Sequence, residues 1–237
     1  MNATITKRVD ITHDLWKIWI KGEDSFNFRP GQYCTIGYGG VERPYSIVSA
    51  PHESEIELFL ELVPPQTGVL TPTLFRLQPG AQLQMRPRAK GIFVLKENYV
   101  NHLMVATVTG IAPYVSMLRQ YLTRATSSHK FFVLVGASFK NEFAYNVELQ
   151  SIAEERPNLL KFIPTISRPD EMTNEGWNGE TGRVNTIVEK YIDLFNLEQA
   201  STLVYACGHP SMISSVRASA NNMGFAFQEE RFWKSDE

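Results

Sequence analysis

Three short stretches carry residue types that can do chemistry. Residues 106–114 read ATVTGIAPY, between an apolar run, HLMVAT, and a helix-like run, YVSMLRQYLTR. A strand, a tight turn and a helix form a cradle for phosphate, because the first N–H groups of a helix lack partners inside it and favour an anion. Pro113 suits the first helical turn, where its missing N–H costs nothing. Gly110 permits close backbone approach or a positive φ. Phosphate-binding turns usually hold several glycines and this one holds Gly110 alone, so by itself the stretch fits a nucleotide loop and a plain strand–helix turn equally. The second stretch is Arg43-Pro44-Tyr45-Ser46. On a strand, side chains alternate between faces, so Arg43 and Tyr45 point one way and Ser46 the other. Composition alone makes this a mixed strand with an exposed arginine and a half-buried tyrosine. The third is Cys207-Gly208, which ends the apolar run TLVYACG. Small buried cysteines are common packing residues. A further segment, TGVLTPTLF, turns from a strand into a short helix, with Thr71 in the place of an N-cap and Pro72 at the first helical position.

The elements that position these residues fall into two regions. Seven short runs rich in β-branched and aromatic residues occupy the first hundred positions: KRVDIT, LWKIWIK, QYCTIGY, RPYSIVS, EIELFLELV, AQLQMRPR and GIFVL. Turn signals such as Pro30-Gly31, Gly39-Gly40 and Pro79-Gly80 separate them, which predicts an antiparallel barrel or sandwich. A short helix over residues 71–76 interrupts the strands. After about residue 98 strands and helices alternate. HLMVAT, KFFVLVGAS, LKFIPTIS and TLVYACG read as buried strands, and FAFQEERFW as a closing one. Helices are predicted over 113–125, over AYNVELQSIAEE, and over PSMISSVRASANNM, ending at Gly224. In RVNTIVEKYIDLF the apolar residues Val184, Ile187, Val188, Tyr191, Ile192 and Phe195 recur at a helix period. Alternation of this kind predicts a parallel, doubly wound α/β sheet. The predicted units are 1–98 and 99–237.

Composition bounds the possibilities further. The chain has 237 residues, 43% of them hydrophobic, enough for two compact cores. A formal net charge of −2 gives no sign of a nucleic-acid binder. The 5 histidines show no metal-ligand spacing, so no metal is expected. No stretch reaches the roughly 20 apolar residues that span a bilayer, and MNATITKRVD lacks a signal-peptide core. No membrane association is expected, and a cytoplasmic protein is the default. Two distant cysteines, Cys34 and Cys207, are too few for a four-cysteine iron–sulfur cluster.

Taken together, the motifs resemble those of the ferredoxin–NADP reductases, particularly the bacterial type. The resemblance runs through Arg43-Pro44-Tyr45-Ser46, Gly68-Val69-Leu70-Thr71, and Thr109-Gly110-Ile111-Ala112-Pro113-Tyr114. It continues through Ser167-Arg168, Thr181-Gly182-Arg183, Cys207-Gly208-His209-Pro210-Ser211-Met212 and Glu230-Arg231-Phe232-Trp233. Each motif is weak alone; in this order over nearly the whole chain they are specific. The resemblance implies an N-terminal flavin-binding β-barrel and a C-terminal domain for a pyridine nucleotide, with a tail that returns to the flavin. One departure stands out. The family usually has Gly-Thr-Gly where this chain has Val108-Thr109-Gly110. Valine strongly disfavours positive φ, so either residue 108 takes an ordinary conformation or the nucleotide approaches less closely.

By the same resemblance, Arg43 pairs with the flavin phosphate, Tyr45 stacks on the isoalloxazine ring, and Ser46 hydrogen-bonds near N5, with Pro44 between them. Gly68, Val69, Leu70 and Thr71 hold a diphosphate, which implies FAD rather than FMN. Thr109, Gly110, Ile111, Ala112 and Pro113 form the nucleotide loop. Cys207 and Gly208 position the nicotinamide. Arg168 and Arg183 favour NADP over NAD, Lys140 lying near the remaining basic position. Glu230 is the implied carboxylate and Trp233 or Phe232 the aromatic residue against the flavin. Ser46, Cys207 and Glu230 are the implied catalytic residues. The implied activity is hydride transfer between NADPH and FAD, with single electrons exchanged with a separate ferredoxin or flavodoxin. Arg86, Arg88, Lys90 and Lys7 fit a basic docking face and a plain solvated charged face equally, and a monomer is expected. Two alternatives remain: an NADH-dependent reductase component of an oxygenase system, and a non-catalytic flavin-binding regulatory module.

Overall fold

The computed structural model of the chain describes residues 1–22, 26–64, 66–124 and 128–231. Two compact units emerge: Met1–Leu95 with Ala112–Arg124, and Lys96–Ile111 with Ala125–Glu237.

The first unit is an antiparallel sheet of β1 (Asn2–Asp10), β2 (Leu15–Gly22), β3 (Tyr33–Tyr38), β4 (Val41–Ser46), β5 (Ile56–Glu61) and β6 (Gln82–Met85), in the order β4-β3-β6-β1-β2-β5. Period-two burial drives it: in β2, Trp16, Ile18 and Ile20 are buried while Lys17, Trp19 and Lys21 are less so. These side chains meet Ile5, Ile36, Ile47, Leu58 and Leu83 in one core. The β3–β4 turn at Gly39 and Gly40 has φ of 60° and 84°, a two-residue hairpin that only glycine accepts cheaply. The edge strands meet at one bridge, Ile47 with Leu58, beside a 2.9 Å bond from Val48 N–H to the Glu57 carbonyl. The sheet is therefore barrel-like without closing along its length. GIFVL does not form the expected seventh strand. Only Lys90, just before it, bridges to Tyr33, and Val94 N–H turns back to the Ile92 carbonyl. Ile92 is 83% exposed, so the apolar run does not mark a buried strand.

The helix α2 (Ala112–Tyr121), entered through a 3-10 turn at Val108–Ile111, groups with this unit although it follows the first strand of the alternating region. Polar anchors account for that. Ser116 Oγ donates to the Ser49 carbonyl at 2.7 Å. The Arg119 guanidinium lies 2.7 Å from Glu57 and 3.4 Å from Glu53. Glu57 is 2% exposed and Lys17 also approaches it, at 4.0 Å.

The second unit is a parallel sheet of β7 (Asn101–Thr107), β8 (Lys130–Ala137), β9 (Leu160–Ile166), β10 (Glu180–Thr181), β11 (Thr202–Cys207) and β12 (Ala226–Glu230), in the order β10-β9-β8-β7-β11-β12. Around it stand α3 (Asn146–Glu155), α4 (Val188–Leu194) and α5 (Pro210–Asn222). The doubly wound expectation holds. The chain leaves β7 outward through β8 and β9, then crosses back to β11, so the topological switch falls between β7 and β11. The helical period of residues 184–195 also holds, with Val184, Ile187, Val188, Tyr191 and Ile192 in the core. A 3-10 turn at Val184–Thr186 breaks that helix before α4.

Histidines that are distant in sequence meet at the amino ends of these strands. His102 Nε2 lies 2.8 Å from His129 Nδ1, and Tyr205 Oη 3.3 Å from His102 Nδ1. Burial, then the neighbouring His129, pulls His102 down to about 3. No group of His, Cys, Asp or Glu suited to a metal ion occurs among the described residues. No helix of the described residues is long and apolar enough to cross a membrane.

Breaking a buried ion pair strands the remaining charge, whereas replacing both partners does not. Arg119→Ala is therefore expected to lower unfolding free energy by about 3 kcal/mol. Glu57→Leu combined with Arg119→Leu should cost less than Arg119→Ala, as read from denaturant midpoints; a double variant weaker than the single one would contradict this account.

Candidate functional site

In a doubly wound sheet the ligand crevice lies outside the carboxyl ends of the strands at the switch point. Here those ends interlock. A Cβ on Gly110 would stand 2.1 Å from the Cys207 carbonyl oxygen and 2.9 Å from Gly208 Cα. Gly208, at φ 133°, would place a Cβ 2.2 Å from Thr107 Oγ1. Thr107 Oγ1 accepts the His209 N–H at 2.8 Å. Gly110 thus serves close approach as expected, but what approaches is the end of β11. Val108 has φ 40°, so it does not take an ordinary conformation. A β-branched residue in the left-handed region costs on the order of 1–2 kcal/mol and persists only where its surroundings dictate it. Its side chain lines a narrow apolar cleft with Ile111, Phe143 and Leu149. Thr109 and Ile111 belong to the 3-10 turn, and Ala112 and Pro113 begin α2.

Cys207 and Glu230 are register partners at the ends of β11 and β12. Burial first, and then the Glu230 carboxylate, raises the Cys207 thiol well above its ordinary value. It therefore stays protonated and is no nucleophile. Burial pushes Glu230 up to about 8. Its Oε2 is buried and meets no hydrogen-bond partner among the described residues. At neutral pH the carboxyl is mostly protonated.

Beyond β8 and β9 lies a second cluster. Asn174, 2% exposed, donates through Nδ2 to the Ser138 carbonyl at 3.0 Å and the Arg168 carbonyl at 2.8 Å. Its Oδ1 accepts the Lys140 N–H at 2.8 Å. Glu142 Oε2 accepts the Ser138 and Phe139 N–H groups at 2.7 and 3.1 Å. The Arg168 guanidinium lies 5.3 Å from the Phe139 ring centroid. Thr181 pairs with Ile166, so Arg168 and Arg183 each stand two residues beyond the same register pair. Glu142 and Asn174 carry no sequence signal. Asn174 lies in a polar loop that reads as solvated until the fold buries it.

The barrel-like unit holds the other expected residues. Arg43, exposed, donates from Nη1 to the Glu42 carbonyl at 2.8 Å. Pro44, Tyr45 and Ser46 are half-buried on β4, with Tyr45 paired to Cys34. Burial raises the Tyr45 phenol above its ordinary range, and the Arg43 charge opposes that shift. Thr71 is not an N-cap. The helix α1 (Thr71–Leu74) is preceded by Leu70 in helical geometry, without a side-chain cap. Thr71 Oγ1 instead accepts the Val63 N–H at 3.0 Å, which braces the turn. Gly68 serves packing rather than unusual dihedrals: a Cβ would lie 2.6 Å from Val63 Cβ. The N–H groups of Val69, Leu70 and Thr71 face no acceptor among the described residues. Orphan donors of this kind fit a phosphate group. Phe232 and Trp233 lie outside the described residues.

A carboxyl with a raised folded pKa lends stability that is fully present below its ordinary value, near 4.5, and is lost as pH rises through about 8. Between pH 5 and 9 the melting temperature of the natural chain is therefore expected to fall relative to that of Glu230→Gln. Parallel melting profiles for the two proteins would refute a buried, protonated Glu230.

Comparison with known proteins places the fold and the family. Residues 104–218 match the oxidoreductase NAD-binding domain family. The chain is 30% identical to a flavodoxin/ferredoxin–NADP reductase of Buchnera aphidicola subsp. Baizongia pistaciae, over 80% of this chain and 78% of that protein. It is 24% identical to the ferredoxin–NAD(P)+ reductase component of a naphthalene 1,2-dioxygenase system from Pseudomonas putida, over 95% of this chain and 66% of that protein. Its fold is that of a ferredoxin NADP+ reductase from Neisseria gonorrhoeae solved with bound FAD and NADP, with a TM-score of 0.85, 23% identity and 98% of both chains covered. By shared sequence over four-fifths of its length, the chain belongs to the flavodoxin/ferredoxin–NADP reductase family.

Proposed function

We propose that this chain is a flavoprotein oxidoreductase that moves hydride between NADPH and FAD and exchanges single electrons with ferredoxin or flavodoxin. Family membership is the observation that carries the reading. FAD, when bound, supplies the exchange between two-electron and one-electron carriers. The chain's own residues bind and orient. Arg43 pairs with the flavin phosphate, and the N–H groups of Val69, Leu70 and Thr71 hold the diphosphate, with Gly68 shaping the turn. Tyr45 packs on the isoalloxazine ring with its phenol protonated, Pro44 sets the strand, and Ser46 hydrogen-bonds near N5.

Thr109, Gly110, Ile111, Ala112 and Pro113 form the nucleotide loop. Cys207, a compact neutral thiol, and Gly208 shape the nicotinamide position, where alignment of the reacting atoms governs rate. Glu230 holds a proton at that edge. Arg168 and Arg183 face the 2′-phosphate, which favours NADP over NAD. In this reading residues 1–98 form the flavin domain and 99–237 the nucleotide domain, in a cytoplasmic monomer. Two buried free thiols suit a reducing compartment. The NADH-dependent oxygenase reductase is a second reading, favoured by the likeness to the Pseudomonas putida component along almost all of this chain.

Two cysteines cannot ligate a cluster of the usual kind, so the one-electron partner is not held by these 237 residues. Its docking face is narrower than the sequence implies. Arg86 is tied to Glu42 at 2.6 Å, and the Lys7 ammonium lies over the Trp19 ring at 4.3 Å. Arg88 and Lys90 are exposed. Arg88→Glu is expected to weaken reduction of ferredoxin and leave reduction of a small dye intact; equal loss in both assays excludes docking at Arg88. Mixed anaerobically with each nucleotide, the yellow holoprotein is expected to bleach fast with NADPH and more slowly with NADH. Faster bleaching with NADH selects the second reading. Flavin that stays oxidised with both overturns the two together.

A further inference from the structure

Glu142 sits where a doubly wound sheet sorts its nucleotides. In such sheets the residues just beyond the second strand meet the adenosine ribose, where an acid suits a free 2′-hydroxyl and a cation suits a 2′-phosphate. The second strand of this sheet in chain order is β8, and both kinds of side chain stand at its end. Lys140 and Arg168 are exposed cations, Arg168 lying over Phe139 and the Lys140 ammonium 2.5 Å from the Glu175 carbonyl. Asn174 ties Ser138, Lys140 and Arg168 together through three backbone bonds, so the cations and the segment 138–142 form one hydrogen-bonded assembly. Into that assembly Glu142 folds its carboxylate, taking the consecutive N–H groups of Ser138 and Phe139. Those two donors are what an anion would use at this strand end, and the chain's own carboxylate holds them.

We propose that Glu142 is a specificity-determining residue: its carboxylate opposes the 2′-phosphate, offsets part of the attraction from Arg168 and Lys140, and keeps discrimination between NADPH and NADH shallow. The proposal rests on the nucleotide-binding role argued above. A phosphate with nearly two negative charges, within several ångströms of a partly exposed carboxylate, loses roughly five- to ten-fold in affinity. A nucleotide with a bare 2′-hydroxyl loses little.

Glu142→Gln keeps a carbonyl oxygen for the two N–H groups and removes the charge. Calorimetry on the holoprotein is expected to show adenosine 2′,5′-bisphosphate binding about five-fold tighter or more, with AMP unchanged within about two-fold, and the gain shrinking in high salt. The ratio of kcat/KM for NADPH to that for NADH should rise by the same factor, chiefly through KM for NADPH. Glu142→Ala, which also frees both N–H groups, should raise the preference further and serves if the glutamine variant is unstable. A purely structural role would change both ligands alike, and that result, or an unchanged ratio, overturns the proposal. If the unaltered chain binds neither nucleotide, the functional reading falls and this inference with it; binding with an unaltered ratio defeats this inference alone.

Discussion

The site in the wound sheet depends on one steric constraint, the contact of two backbone ends that admits no side chain. Gly110 meets the carbonyl of Cys207, and Gly208 meets Thr107, at distances a Cβ cannot share. Four groups follow from that contact. The Cys207 thiol is held at the end of its strand, the His209 N–H reaches Thr107, the 3-10 turn at Val108–Ile111 starts where it does, and α5 begins at Pro210. Val108 bears the cost, in a conformation that glycine would adopt freely.

Burial is the main setter of proton states here, with neighbouring charges secondary. Glu230 and Cys207 lie side by side, both with the neutral form favoured because water is excluded. Tyr45 in the other unit is held neutral for the same reason, against the pull of Arg43. Desolvation makes the two strand ends and β4 places for neutral, hydrogen-bonding chemistry rather than nucleophilic attack. Where charge is buried, it is compensated: Glu57 has Arg119, and its pairing explains why a helix that follows β7 packs with the barrel-like unit.

Buried polar side chains do the joining elsewhere. Asn174 welds the loops after β8 and β9, and His102, His129 and Tyr205 form a chain at the opposite ends of the strands. Satisfied networks of this kind specify a single arrangement, because any other leaves polar groups dry and unpaired. The first network brings the cations Lys140 and Arg168 and the carboxylate of Glu142 to one strand end.

The amino-acid order alone determined the alternation of elements, the two regions, the core face of α4, and the glycine turn at 39–40, because periodicity and turn chemistry act over a few residues. It also carried the motifs at 43–46, 68–71, 106–114 and 207–212. Only the tertiary structure decided that GIFVL is not a strand, that Thr71 braces Val63 instead of capping a helix, and that Gly68 and Gly110 make room for the chain's own backbone. It also decided that α2 groups with the barrel-like unit and that Glu142 and Asn174 matter at all. Each of these depends on an atom supplied by a distant segment, and steric exclusion, desolvation and hydrogen-bond satisfaction exist only once that segment has arrived.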